Sequence, residues 1–346
     1  MKLCVFSLYS KKGASSQYRA YIYKKMLEKN FEVCWFNFWN DKYVSKYMHN
    51  KRRYCINILV QYLISTIKRI IQIVLLAPQC DVVFIQKAVV PKLRPTFLER
   101  VKKHNVRIVF DVDDAVYITK YDNSNAIARL SDCVICGNEN LRRHYENYCT
   151  NCIVLPTVDN TNKYETYWHN TFQKKIIGWI GSQSTIDNFD VVIESLNIIS
   201  SKHPEVKIAI ISNTSLDYTD KIYNSYFIQW NSETYLQEIS QFTVGIMPLK
   251  DNEYNKGKCG FKLVQYLNMK KPVIGTGIGV NESIIKGNGI IANSTEEWVD
   301  AIEKLLFDED YYKECVTHIE NDFFARYHFD IISNKLLSIL INGEII

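Results

Sequence analysis

The chain has 346 residues, of which 47% are hydrophobic and 23% charged, with a formal net charge of +5. That length suggests two domains, and that composition describes a globular protein with apolar material for large cores. The mild positive balance fits an anionic ligand or an anionic membrane surface and is too small to argue for nucleic acid.

The opening MKLCVFSLYS reads as a short strand, without the long apolar region and small-residue cleavage site of a secretory signal. No uninterrupted apolar run is expected to span a bilayer. Ten cysteines and no export signal predict reduced thiols in a cytoplasm. Cys133-x-x-Cys136 and Cys149-x-x-Cys152 have zinc-like spacing. The first pair lies in the strand-like run SDCVICGN, where residues three apart point to opposite faces, so these cysteines are read as small buried hydrophobes and no metal is expected.

In chain order, Lys2–Ser7 is a first strand, KKGASSQYR (11–19) a polar loop with Gly13, Tyr18–Lys29 a helix and Glu32–Phe38 a strand. This strand, glycine loop, helix, strand unit is a βαβ signature. Lys51–Ala77 has apolar residues at helical spacing with Lys51, Arg52, Arg53, Lys68 and Arg69 among them. Two readings stand: an interfacial helix resting on anionic lipid, or a core helix packed on a sheet. Strands follow at Asp81–Gln86, Arg107–Asp114, Asp132–Cys136 and Ile153–Pro156, with a helix at Leu98–Lys103. Asp159–Gln173 is polar and turn-rich and reads as a linker. The pattern then restarts with a strand at Lys175–Ile180, a loop at Gly181–Asp187 and a helix at Phe189–Ser200. Strands at Val206–Ile211, Phe227–Trp230 and Val244–Pro248 follow, with a helix at Thr234–Ser240. Ser294 with Glu297 three residues on predicts a capped helix to Leu306, and the chain beyond Tyr311 is mostly helical. Alternating strands and helices predict two α/β halves with mostly parallel sheets.

The most informative stretch is GKCGFKLVQYLNMKKPVIGTGIGVNES, Gly257–Ser283. A loop with Gly257, Lys258, Gly260 and Lys262 runs into a helix, Lys271-Pro272 ends it, Val273-Ile274 begins a strand, and a second loop carries Gly275, Gly277 and Gly279. A helix start flanked by glycine and lysine is an anion site, and the pattern is neither a Walker A loop nor GxGxxG.

These segments together resemble the GT-B-fold, nucleotide-sugar-dependent "glycosyl transferases group 1" family of retaining enzymes. The resemblance is carried by KKGASSQYRAYIYKKMLEKNFEV, FDVDDAVY (110–117), CVICGNENL (133–141), VLPTVD (154–159), IIGWIGSQST (176–185), the 257–283 stretch and EEWVDAIEKLL (296–306). It implies an α/β fold of two Rossmann-like domains facing each other across a cleft. Residues 1–158, joined by a C-terminal helix at 322–346, would form the acceptor side. Residues 159–173 would be the linker and 174–321 the donor domain. The family's two signature glutamates fall on Gly257 and Gln265; Gln265 retains hydrogen bonding to ribose hydroxyls. The family's basic pair is missing from the GSQSTIDN loop, where Gly181 and Ser182 would approach the donor, so Lys258 and Lys262, with Gly260, are the expected diphosphate contacts. The family's histidine beside the reacting sugar falls on Asp113, followed by Asp114; Asp111 is left unassigned. Gly13 would let the backbone approach the phosphates. Arg19 is either a phosphate or acceptor contact or a surface cation. Asn281 and Glu282 either hold sugar hydroxyls or are turn residues. The DVD at 111–113 is read as a coincidental match to a metal-binding DxD motif.

The resemblance therefore implies a metal-independent, cofactor-free hexosyltransferase acting on a glycan or lipid-linked acceptor, in a cytoplasm or at the inner face of its membrane. A non-catalytic nucleotide-sugar-binding partner and a nucleotide-sugar epimerase on the same fold are the rivals.

Overall fold

The computed structural model describes residues 1–213 and 218–345. The chain divides into two compact units. The first comprises Met1–Thr157, Gly257–Cys259 and the chain from Ile332; the second comprises Val158–Lys256 and Gly260–Ile331.

The first unit is built on strands β1 (Lys2–Tyr9), β2 (Glu32–Trp39), β3 (Val82–Gln86), β4 (Arg107–Val112), β5 (Cys133–Cys136) and β6 (Cys152–Val154). They form one sheet in the order β2-β1-β3-β4-β5-β6, with every pair parallel. Near-continuous apolar runs such as Leu3–Phe6 and Val82–Ile85 are fully buried, as a parallel sheet covered on both faces requires. Cys136 shares a core cluster with Val134, two residues back on the same face of β5. From Ile332 the last helix belongs to this unit, where the Arg107 guanidinium donates to the carbonyls of Leu340 and Ile341.

The second unit contains β7 (Ile176–Gly181), β8 (Lys207–Ser212), β9 (Ser225–Gln229), β10 (Val244–Met247), β11 (Val273–Gly275) and β12 (Gly289–Ile291). Their order is β12-β11-β10-β7-β8-β9, again parallel throughout. The helix Thr295–Phe307 begins with the expected capping box: Ser294 Oγ accepts from Glu297 N, and Glu297 Oε2 accepts from Ser294 N. Residues 159–173 are ordered 3-10 turns tied to this unit, with Trp168 Nε1 donating to Asn268 O at 2.8 Å.

The strand orders locate the ligand edges. The second sheet has the doubly wound 3-2-1-4-5-6 arrangement, reversing direction between β7 and β10; the first has the order 2-1-3-4-5-6, reversing between β1 and β3. In such sheets ligands bind beyond the strand C-termini at the reversal.

Two local expectations are corrected, and one strand was not expected from the sequence. Helix begins at Ala14, inside the segment read as a polar loop, because Ser15 and Ser16 turn their hydroxyls inward to protein partners rather than to water. Strand β12 lacks a long apolar signal in sequence because its three residues complete the sheet only through their partner β11. The run Cys55–Gln79 forms 25 continuous helical residues, long and apolar enough by length and composition to cross a membrane. Lys68 and Arg69 hid this, because they break the apolar run in sequence without ending the helix.

Arg19 is not a surface cation. It is 2% exposed, and its guanidinium contacts both carboxylate oxygens of Asp111 while donating to Leu155 O at 2.8 Å. Burial pushes the Asp111 carboxyl upward and Arg19 opposes this; the two-oxygen contact is that of an ion pair. Arg19→Met strands a buried carboxylate and should cost about 3–5 kcal/mol in urea unfolding, with Arg19→Met/Asp111→Asn recovering part of the loss. An unchanged single-variant midpoint would refute this.

Candidate functional site

At the reversal point of the second sheet, β7 ends at Gly181 and β10 at Met247. The helix Phe261–Asn268 opens there behind Gly260, whose φ of +68° is a left-handed conformation suited to glycine. Gly260 offers no side-chain cap, so the N–H groups of the first helical turn are not satisfied by one. Lys262, in that first turn, donates to Thr185 Oγ1 at 3.2 Å and lies 4.6 Å from the Trp179 ring centroid. Gly181 makes this fit possible: a Cβ there would lie 2.4 Å from Trp179 Cζ2 and 2.9 Å from Lys262 Cε. Ser182 is exposed beside it, and Gln265 is 7% exposed on the same helix as Lys262. The combination of an uncapped helix start, an ammonium and a glycine turn attracts an anion.

The second glycine loop follows β11. Gly277 N donates to Asn293 Oδ1, and Glu282 is exposed with its carboxylate near Gly277. Asn281 is fully buried; its Nδ2 donates to Thr276 O at 3.0 Å and its Oδ1 has no hydrogen-bond partner. It braces the loop from beneath.

At the reversal point of the first sheet, a hydrogen-bond chain fixes a carboxylate. Tyr9 N donates to Ser16 Oγ, which donates to Gln86 Oε1 at 2.7 Å. Gln86 Nε2 donates to Ser15 Oγ at 3.0 Å, and Ser15 Oγ donates to Asp113 Oδ1 at 3.2 Å. Gly13 permits the turn into this helix, since a Cβ would fall 2.4 Å from Tyr9 Cβ. Lys87, directly after β3 at φ +69°, reaches Asp114 Oδ2 at 2.5 Å and Asp113 Oδ1 at 3.8 Å. Burial and the neighbouring Asp114 push the Asp113 carboxyl up to about 6, against the pull of Lys87. For Lys87, burial disfavours the ammonium, but Asp113 and Asp114 outweigh it and hold the proton more tightly than usual. Asp113 is therefore a carboxylate poised to exchange a proton near neutrality, held by a cation and a rigid donor. Beside Lys87 opens a mostly apolar cavity of about 200 Å³, lined by Leu8, Ala88, Pro91, Val116 and Ile127 among others.

Lys258 falls with the first unit, separated in this division from Lys262. Asn138 Nδ2 donates to the carbonyls of Gly257 and Lys258, both at 3.1 Å. Burial lowers the Lys258 ammonium while the Asp114 carboxylate sustains it. The structure thus gathers Gly13, Asp113, Asp114 and Lys258 in one unit, and Gly181, Ser182, Gly260, Lys262, Gln265, Asn281 and Glu282 in the other. Sequence reasoning missed Ser15, Gln86, Lys87 and Asn138. The only signal for Lys87 was a cation directly after an apolar strand, and for Ser15 a hydroxyl in a glycine turn.

Residues 174–308 match the family model described as "Glycosyl transferases group 1". No curated protein matches the sequence. Among solved structures, HepE of Anabaena in complex with UDP-glucose aligns over 99% of each chain with a TM-score of 0.69 at 11% identity. S. aureus TarM aligns over 75% of this chain and 54% of its own with a TM-score of 0.55 at 16% identity. A putative UDP-N-acetylglucosamine 2-epimerase from Listeria monocytogenes aligns over 99% of this chain and 97% of its own with a TM-score of 0.62 at 9% identity. The fold is that of the GT-B glycosyltransferases, two parallel six-stranded α/β domains. Within that fold class, residues 174–308 are similar to the group 1 glycosyltransferases.

Proposed function

We propose that this chain moves a sugar from a nucleotide-diphosphate sugar to an acceptor hydroxyl, with retention at the anomeric carbon, in the assembly of a surface polysaccharide or glycolipid at the cytoplasmic side of a membrane. The observation that carries the reading is the Lys262 ammonium at an uncapped helix start, at the reversal point of a doubly wound sheet, inside the family-matched segment. Lys262 and the helix N–H groups hold the diphosphate and neutralise it as it leaves, without a divalent cation. Gln265 and Glu282 serve the ribose and sugar hydroxyls. Asp113 takes the acceptor proton as the anomeric carbon loses its bond to diphosphate oxygen and gains one to the acceptor oxygen. The apolar cavity beside Lys87 suits an acceptor with an apolar portion.

HepE was solved with UDP-glucose, which makes UDP-sugars the first donors to try. A thermal-shift panel of UDP-, GDP-, ADP- and dTDP-sugars, with a chelator present, should give one clear hit. Ligand at a hundred times Kd adds about 2.7 kcal/mol to the folded state, a shift of several degrees. Silence across the panel would favour the non-catalytic partner, the reading suggested by glycine and glutamine at 257 and 265. Because an epimerase shares the fold, products decide between the enzymes. A transferase releases nucleoside diphosphate only when acceptor is added, whereas an epimerase converts the donor alone.

A further inference from the structure

The helix Cys55–Ile71 continues through a π-turn at Gln72–Leu76 and has two apolar faces. The inner face packs on the first core through Ile58, Tyr62 and Ile73. Arg69, 1% exposed, staples it there: its guanidinium donates to Val89 O at 3.0 Å, Phe36 O at 2.9 Å and Ser7 O at 3.2 Å. The outer face exposes Ile56, Leu59, Leu63, Ile67, Ile71 and Leu75, each at least half open to solvent. Steps of three or four residues align them in one stripe. Nothing in the first unit's core asks for this stripe, since Ile58, Tyr62 and Ile73 already serve it.

The charge around the stripe says what covers it. Between Asp41 and Asp81 there is no acidic residue, while Lys42, Lys46, Lys51, Arg52, Arg53, Lys68 and Arg69 are all cationic. All but Arg69 are exposed. A second copy of the chain would bring two such basic surfaces together and be repelled. An apolar stripe flanked only by cations matches the headgroup boundary of an anionic bilayer. A spanning arrangement would pull Arg69 from its three carbonyls and leave its charge in hydrocarbon.

We propose that the outer face of this helix docks the first unit on an anionic lipid bilayer, with Ile56 to Leu75 entering the acyl boundary and Lys51, Arg52, Arg53 and Lys68 facing headgroups. Tyr62 Oη donates to Pro91 O at 2.6 Å, and Pro91 lines the apolar cavity beside Lys87. The docked helix is thus directly joined to the wall of the cavity assigned to the acceptor. The docking itself is independent of the donor assignment.

The test is co-sedimentation of the full chain with phosphatidylcholine vesicles and with equimolar phosphatidylcholine and phosphatidylglycerol. The chain should pellet with the anionic vesicles alone and be released by high salt or alkaline carbonate. Each neutralised cation should weaken binding by about five-fold, so Lys51→Gln/Arg52→Gln/Arg53→Gln should abolish it at ordinary lipid concentrations. Leu63→Glu/Ile67→Glu, at exposed positions, should abolish it with an unchanged melting temperature and an unchanged nucleotide-sugar thermal shift. The proposal fails if the wild type ignores anionic vesicles, binds neutral ones equally, or pellets as well when carrying Leu63→Glu/Ile67→Glu. It also fails if only detergent releases the chain, or if the chain is a dimer that the same double variant dissociates. A donor shift that survives any of these failures leaves the proposed transferase reading standing.

Discussion

Replacing Lys262 by alanine should weaken nucleotide-sugar binding about 10–100-fold, the loss of one charge-assisted hydrogen bond of about 1.5–3 kcal/mol. The lysine sits in the first turn of the helix behind Gly260, where its charge adds to the helix N-terminus. Its contacts with Thr185 Oγ1 and the Trp179 ring are partly open to solvent, so the unliganded protein should lose about 1 kcal/mol or less. Titration calorimetry therefore separates ligand binding from folding. Lys262→Arg retains the charge but brings a planar, bulkier group against Gly181, where a Cβ already has no room, so it should rescue only part of the affinity. An alanine variant binding donor as tightly as wild type would remove Lys262 from the site. The Asn281 side chain, buried beneath the loop, makes a contrasting control: Asn281→Ala should lower the melting temperature first, since it removes the donor to Thr276 O.

Asp113→Asn should reduce kcat about 10²–10⁴-fold while leaving donor affinity intact. The substitution preserves shape and an oxygen for Ser15, so the Tyr9–Ser16–Gln86–Ser15 chain should survive. The pH profile gives a second readout. Asp113 is pushed up to about 6, and a proton acceptor must be ionised to work. The rate should therefore fall as pH drops through about 6 and level off above it. Removing the neighbouring charge with Asp114→Asn takes away a like-charge repulsion and frees Lys87 for Asp113, so the limb should move to lower pH. A purely structural Asp113 would leave kcat and the limb unchanged in Asp113→Asn.

Fold class and the loop–helix–strand course of residues 257–283 were legible in the sequence because they rest on local patterns. Short, near-continuous apolar runs rich in Val and Ile, such as VVFIQ and VKIAII, read as strands of a sheet covered on both faces. Ser294 with Glu297 announces a helix start, and the capping box is there. Gly260 before an amphipathic helix marks the turn into that helix, because the left-handed backbone at that position suits glycine.

What the sequence left open depends on partners distant along the chain. Asp113 was legible as a residue; what holds it was not, because Ser15, Gln86 and Lys87 reach it only through the β1–β3–β4 pairing. Arg19 read equally well as a ligand contact or a surface cation until Asp111, 92 positions away, closed over it. Lys258 and Lys262 look like one basic pair in sequence, yet the fold assigns them to different compact units. Residues 51–77 were legible as a helix with apolar and basic character, but periodicity reports only that a face exists. Which apolar face meets the core was decided by Arg69 finding three carbonyls of the first unit, and that choice leaves the other face to solvent.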